Sequence, residues 1–73
     1  MINDALDLFK FSARQIRKAT GAKITLAQET LARELKFQNF HEARKRLLEE
    51  RADQYRPLIA GAQAKAIERL TQV

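Results

Sequence analysis

The chain contains no cysteine and no tryptophan, and only one histidine, one tyrosine and one proline in 73 residues. Without cysteine it can form neither a disulfide nor a Cys/His zinc site, which are the usual supports of very small domains. A single domain over residues 1–73 must therefore rely on an apolar core that buries roughly 60% of the unfolded surface. We expect oligomerisation or a partner to add to that stability.

Export signals and long apolar runs are also missing from the sequence. The first ten residues, MINDALDLFK, carry two acids before the first base and no apolar run followed by small residues, so they do not resemble a signal peptide. No segment approaches the ~18 apolar residues of a membrane span. We expect a soluble, cytoplasmic protein with no membrane partner, no metal, no cofactor and no small-molecule substrate.

Positive charge is in excess: fourteen Lys and Arg face nine Asp and Glu, which gives a formal net charge of +5 and a pI near 10.1. A pI this high indicates nucleic acid as a candidate partner. Small basic proteins also bind acidic proteins or use their charge for solubility.

The scarcity of glycine, proline and β-branched residues predicts an all-α fold, a small bundle of about four helices. The first helix should begin after an N-cap at Asn3 and end before Gly21. The expected helices lie at about 4–19, 26–36, 40–54 and 58–71.

Apolar residues at helical spacing predict which face of each helix is buried. With no tryptophan, Phe37 and Phe40 are also expected in the core. The predicted stripes are Ile2, Leu6, Phe9, Ala13 and Ile16; Ala27, Leu31 and Leu35, with Leu26 and Ala32 beside them; Phe40, Ala43 and Leu47; and Leu58, Ile59, Ala62, Ala66, Ile67 and Leu70.

The segment from residue 24 to 48 organises the chain, because two amphipathic patterns meet there at Lys36-Phe37-Gln38-Asn39. Lys36 stands where a helix normally ends in glycine, and Phe37 follows as the apolar residue that anchors the turn. Asn39 with Glu42 three residues later predicts a capping box at the start of the third helix.

Four further local predictions concern the second, third and fourth helices. Thr25 with Gln28 predicts another capping box, and Pro57 is expected both to end the third helix and to open the fourth. Gly61, at a cost of ~1 kcal/mol in a helix interior, suggests close packing or a local bend. The second helix should expose a charge-balanced side typical of a scaffold: Glu29, Arg33, Glu34 and Lys36.

The leading functional hypothesis concerns four bases at i, i+4, i+7 and i+8, which share one side of the first helix. Such a face suits the phosphates of a nucleic acid, DNA or RNA. A solvated helix face with favourable cations near its C-terminus is the alternative interpretation. The predicted nucleic-acid-binding residues are Lys10, Arg14, Arg17 and Lys18, extended by Arg44, Lys45 and Arg51.

A second hypothesis is a protein-interaction module, either a helical homodimer or a small inhibitor or antitoxin-like partner of a larger protein. Leu8 and Phe11 lie off the buried stripe of the first helix, and the fourth helix is rich in small residues. The predicted partner or dimer interface comprises Leu8, Phe11, Ala60, Ala64 and Ile67.

No catalytic constellation is visible, so we do not expect an enzyme. His41 stands alone, and metal sites normally take three or more protein ligands. Tyr55 is a candidate for stacking on a base, but a tyrosine at a helix end is more often half-buried with its hydroxyl in water.

The corner at residues 36–39, between the second and third predicted helices, invites comparison with a helix-turn-helix, whose second helix reads the major groove. LARELKFQNFHEARKRL resembles that pattern at Leu31, Ala32, Leu35 and Phe37. It departs from it at Glu42, where a buried aliphatic is usual, and in lacking the glycine of the turn.

A fuller resemblance is to the small helical segment of bacterial proteins named "glyoxalase superfamily protein", over residues 10–48. The matching residues are Arg14, Gln15, Ile16, Arg17 and Lys18 in the basic helix, then Ile24, Thr25, Gln28, Leu31, Ala32, Leu35, Phe37, Asn39, Phe40 and Leu47. The departures are Lys36 for glycine, Phe40 for tryptophan and Ala43 for leucine.

This resemblance implies a fold rather than glyoxalase activity, because the metal ligands of the family's β domain have no counterpart here. Small proteins of this kind accompany plasmids and other mobile elements, which implies an accessory or regulatory role.

Overall fold

The computed structural model describes residues 5–71, apart from the side chains of residues 50 and 51. The helices are α1 (Ala5–Thr20), α2 (Ile24–Glu34), α3 (Phe40–Leu47) and α4 (Arg56–Thr71), with a 3₁₀ segment (Glu50–Tyr55) between α3 and α4. The described part of the chain contains no strand. The predicted all-α, four-helix fold is confirmed.

Helix α1 is the centre of the bundle, because it packs against α2, α3, α4 and the 3₁₀ segment. Most of the predicted stripe residues are buried: Leu6, Phe9, Ala13, Ile16, Ala27, Leu31, Ala32, Leu35, Phe37, Ala43, Leu47, Ile59, Ala62 and Ala66. Phe40, Ile67 and Leu70 are partly buried and pack against this core. Ala5, Ser12 and Ala52 join the core without having been predicted.

Two predicted stripe residues are wrong: Leu26 is 49% exposed and Leu58 is 55% exposed. Each lies early in its helix, at a position that the neighbouring helices do not cover. Ile2 and the predicted N-cap Asn3 lie outside the described residues.

The third predicted helix, 40–54, is shorter than expected, since α3 ends at Leu47. Ala52 explains the break: it is 5% exposed, yet a straight continuation at 100° per residue would place it about 140° around the helix from Leu47. The 3₁₀ segment turns Ala52 back towards the core. Pro57 lies in the first turn of α4, where its missing N–H costs little, but it does not end α3.

The predicted Thr25–Gln28 capping box is also wrong. Helix α2 begins at Ile24 behind an N-cap at Lys23 that makes no side-chain capping hydrogen bond. The N–H of Ala27 already donates to the Lys23 carbonyl at 3.0 Å, so Thr25 is inside the helix.

Gly61 lies in α4 with its Cα towards open space. A Cβ built on it would meet nothing within 4 Å, so close packing inside the chain does not explain this glycine. The close packing of another helix on Gly61, which the sequence suggested, is absent from the described residues.

Candidate nucleic-acid interface

The outer face of α1 carries the four predicted bases. Because Phe9, Ala13 and Ile16 point into the bundle, helical geometry turns the remaining sides of α1 to solvent. There the four cations, all exposed, occupy a sector of about 100°. We call this set the basic strip: Lys10, Arg14, Arg17 and Lys18.

No ion pair neutralises the basic strip within the described residues. The ion pairs found there are Arg46–Glu49, at 3.7 Å, and Arg69–Glu34, at 2.9 Å. The one acid of α1 is Asp7 in its first turn, whereas the bases become denser towards the C-terminal end. The strip is therefore a patch of positive charge that is available to a partner.

An exposed aromatic ring borders the strip. Phe11 is 45% exposed, and its position three residues before Arg14 and seven before Lys18 places it on the same side of α1. Leu8, predicted with Phe11 as an interface residue, is instead partly buried and packs against the core. The two residues thus have different roles.

The predicted extension onto α3 has a different character. Arg44 and Lys45 are exposed, but Lys45 lines a shallow depression of about 480 Å³ together with the acids Glu42 and Glu49. The side chain of Arg51 lies outside the described part of the structure. Lys45 and Arg46 of α3 therefore lie among acids, whereas the bases of α1 form an uninterrupted strip.

Helix α3 is attached to α1 by aromatic packing. The rings of Phe9 and Phe40 stack with centroids 5.7 Å apart and an interplanar angle of 20°. A carboxylate oxygen of Glu29 on α2 also accepts a hydrogen bond from the N–H of Phe40 at 3.3 Å. Glu29 thus links α2 to the start of α3 and is more than an exposed scaffold charge.

The corner between α2 and α3 is a structural element whose polar groups form hydrogen bonds with each other. Asn39 accepts the N–H of Glu42 at 2.8 Å, as predicted, while the Glu42 carboxylate accepts the N–H of Gln38 at 3.4 Å. Phe37 is buried, and its ring contacts that of Tyr55 with centroids 5.3 Å apart. Tyr55 is thereby used in the core, in agreement with its half-buried interpretation.

His41 is exposed on the first turn of α3. Among the described residues no group of three or more His, Cys, Asp or Glu could hold a metal ion. Its neighbours in the depression are Lys45 and Arg46 as well as acids, and nothing there assigns it a chemical role.

An ion pair across α2 and α4 was missed by the sequence reasoning. Glu34, predicted as exposed, has a side chain only 9% exposed that pairs with Arg69. Spacing along one helix carries no signal for such a pair, because its partner is on a different helix.

The predicted interface residues on α4 are divided in the same way as those on α1. Ala60 and Ala64 are exposed, whereas Ile67 is partly buried against the core.

Within residues 5–71, no helix has the length and apolar character needed to cross a membrane. Comparisons with protein-family models, curated proteins and solved structures find no match for this chain.

Proposed function

We propose that this protein is a non-enzymatic module that binds nucleic acid through the basic strip of α1. The observation that supports the proposal is the set of four exposed cations on one helix side with no ion-pair partner among the described residues. Opposite charges nearby would otherwise weaken such a surface, as they do around Lys45.

The dimensions of the strip suit a phosphate backbone. From Lys10 to Lys18 it extends about 12 Å along the helix axis at 1.5 Å per residue. Projected on the axis of a duplex, that length corresponds to about three to four base-pair steps at a 3.4 Å rise. Contacts of this kind give affinity and register, and they carry no sequence preference by themselves.

The test is fluorescence anisotropy with labelled single-stranded and duplex DNA and RNA at several salt concentrations. The Arg14→Gln/Arg17→Gln double variant should lose at least about tenfold in affinity at low salt and reduce the salt slope by about two, one for each lost phosphate contact. The matched control, Arg33→Gln/Arg56→Gln, removes the same charge from exposed positions on α2 and α4. It should retain most of the affinity and the slope.

Two results would refute the proposal. One is the absence of binding at low salt by the wild-type chain. The other is an equal loss in the strip variant and in the control, which would indicate a response to net charge rather than a binding surface.

A second candidate function, a homodimer or antitoxin-like partner protein, is favoured by one observation: Phe11 is a large apolar side chain left 45% exposed on α1. Phe11→Ala distinguishes the candidates. Loss of a dimer in sedimentation equilibrium supports the interaction module, whereas weaker binding of single-stranded nucleic acid by a monomer supports base stacking, worth ~1–3 kcal/mol per base.

Under either candidate, the cellular role that we propose is that of a small cytoplasmic accessory or regulatory protein. The resemblance of residues 10–48 to the helical segment of glyoxalase superfamily proteins supports the mobile-element context and stays a proposal. Identifying the genes beside its coding sequence would test that context directly.

A further inference from the structure

A second surface lies away from the basic strip, between the end of α2 and the first turns of α4. It is a groove of about 310 Å³ with an apolar floor formed by Leu35, Pro57, Leu58, Gly61 and Ala62. None of the predicted nucleic-acid or dimer residues lines it. We call it the α2–α4 groove.

Three of the five floor residues, Pro57, Leu58 and Gly61, are left exposed by the chain itself, whereas Leu35 and Ala62 belong to the core. Leu58 is 55% exposed although helical spacing predicts it to be buried, and a Cβ on Gly61 would meet nothing within 4 Å. Glycine is unfavourable in a helix interior relative to alanine, and the described contacts inside the chain give no compensation. A partner whose backbone or side chain approaches Gly61 would account for both features.

The charges around the groove indicate the chemistry of that partner. Lys36 and Lys65 stand exposed on its rim, and the one acid in its lining, Glu34, is already paired with Arg69 at 2.9 Å. Glu68 is outside that lining but shares an adjoining depression with both lysines and the Glu34–Arg69 pair. The rim of the groove itself therefore offers two positive charges around an apolar floor, with Glu68 beside them.

We propose that the α2–α4 groove binds an acidic amphipathic segment of a partner protein, in which a leucine or phenylalanine is flanked by Asp or Glu. The apolar side chain lies on Leu58 and Gly61, and its flanking carboxylates meet Lys36 and Lys65. Nucleic acid fits this surface less well, because its phosphates gain nothing from an apolar floor. A second copy of this chain carries the same net charge of +5 and is the less complementary occupant.

The probe is a fluorescein-labelled synthetic helical peptide with leucines at i, i+3 and i+7 and glutamates on its other faces. One control peptide has lysine in place of every glutamate, and the other has alanine in place of every leucine. The full-length chain should bind the acidic leucine peptide, with saturation in anisotropy, at least about tenfold more tightly than either control peptide.

Two leucine variants of α4 locate the binding. Gly61→Leu fills the groove, whereas Thr71→Leu places the same side chain at an exposed position outside it. Circular dichroism first establishes that both fold. Gly61→Leu should weaken peptide binding by at least tenfold and leave nucleic-acid binding unchanged, while Thr71→Leu changes neither. Lys36→Gln/Lys65→Gln should weaken binding several-fold and reduce its dependence on salt.

Three outcomes would overturn the inference. They are no binding of the acidic peptide at millimolar concentration, equal binding of the lysine peptide, and equal effects of the two leucine variants. A concentration-dependent dimer that Gly61→Leu abolishes would assign the groove to a second copy instead. These experiments use no basic-strip variant, so a negative result for peptide binding leaves the proposed nucleic-acid function untouched.

Discussion

Helices α1 and α2 end in the same backbone conformation but with different residues. Gly21 after α1 and Lys36 after α2 both have φ of +73°. At Gly21 the N–H donates to the Arg17 carbonyl at 2.8 Å, the one backbone bond that closes the turn, and the Thr20 hydroxyl accepts the N–H of Ala22 at 3.2 Å. At the second corner the N–H groups of Lys36 and Phe37 donate to the carbonyls of Arg33 and Ala32, both at 3.0 Å, which is the Schellman arrangement.

The difference shows how a turn can hold a residue that does not favour it. Glycine adopts a positive φ without steric cost, so the α1–α2 corner needs little support from its neighbours. Lysine is strained in that region by roughly 1–2 kcal/mol. The second corner offsets this strain with a buried ring at Phe37 and a side-chain cap at Asn39.

The largest expected effect comes from removing that ring. Phe37→Ala should destabilise the fold by ~3–5 kcal/mol, because the ring is 8% exposed and contacts Tyr55. A chain of this length has a total stability of only about 4–11 kcal/mol, so much of the protein should unfold. Urea denaturation followed by circular dichroism measures the change.

Phe11→Ala is the matched control for this substitution, since Phe11 is 45% exposed and its loss should cost less than about 1 kcal/mol. If Phe37→Ala folds normally and loses only binding, the corner is a functional surface and its assignment as a structural element is wrong.

The next largest effect comes from replacing Gly21 at the α1–α2 corner. Gly21→Ala should destabilise by ~1–2 kcal/mol, because alanine is strained at φ of +73°. No other part of the fold lies within 4 Å of a Cβ at this site, so the cost comes from the local backbone conformation and not from a clash with neighbouring elements. Gly61→Ala is its counterpart in a helix and should stabilise by ~0.5–1 kcal/mol. Thermal unfolding of the two variants should give shifts of opposite sign, and shifts of the same sign would contradict the backbone argument.

The cap of the second corner accounts for a smaller amount. Asn39→Ala should cost ~1 kcal/mol, since it leaves the N–H of Glu42 without its 2.8 Å acceptor. Thr25→Ala is the control, because the structure places Thr25 within α2 and not at its N-cap. It should change the free energy of unfolding by less than about 0.5 kcal/mol. Equal losses in chemical denaturation would mean that Asn39 is not a cap in solution.

These two corners also show what the sequence could predict and what it could not. Asn39 with Glu42 and the anchor at Phe37 were predictable because the residues that interact are close in sequence, and the buried faces followed from helical spacing. The basic strip was predictable for the same reason, as its members share one helix and all four are exposed.

Apart from the Thr25 cap, what failed depends on contacts between helices. Thr25 looks like a cap, but α2 begins before it; Ala52 ends α3 early because the core draws it inwards; and Glu34 is withdrawn by Arg69 of α4. The α2–α4 groove belongs to the same group, because Leu58 follows the apolar pattern of its helix and only the packing of α4 on α2 leaves it outside. Interactions between residues close in sequence determine the turns, whereas the relative positions of the helices determine which side chains are exposed.

The smallest predicted effect has the opposite sign and tests the comparison most directly. Lys36→Gly should stabilise the fold by ~0.5–1 kcal/mol, the relief of strain at φ of +73° less the greater backbone entropy that glycine loses on folding. Lys36→Ala keeps the strain and removes the charge, so its free energy of unfolding should stay close to that of the wild type.

If both variants gain stability equally, charge repulsion and not backbone conformation is the cost of lysine there. If neither gains, the Schellman bonds and Phe37 hold the turn so firmly that the residue at its centre no longer matters. If Lys36→Gly alone gains, the presence of lysine where glycine is more stable is explained by its place on the rim of the α2–α4 groove, and loss of acidic-peptide binding in the stabilised Lys36→Gly protein would establish that exchange of stability for binding.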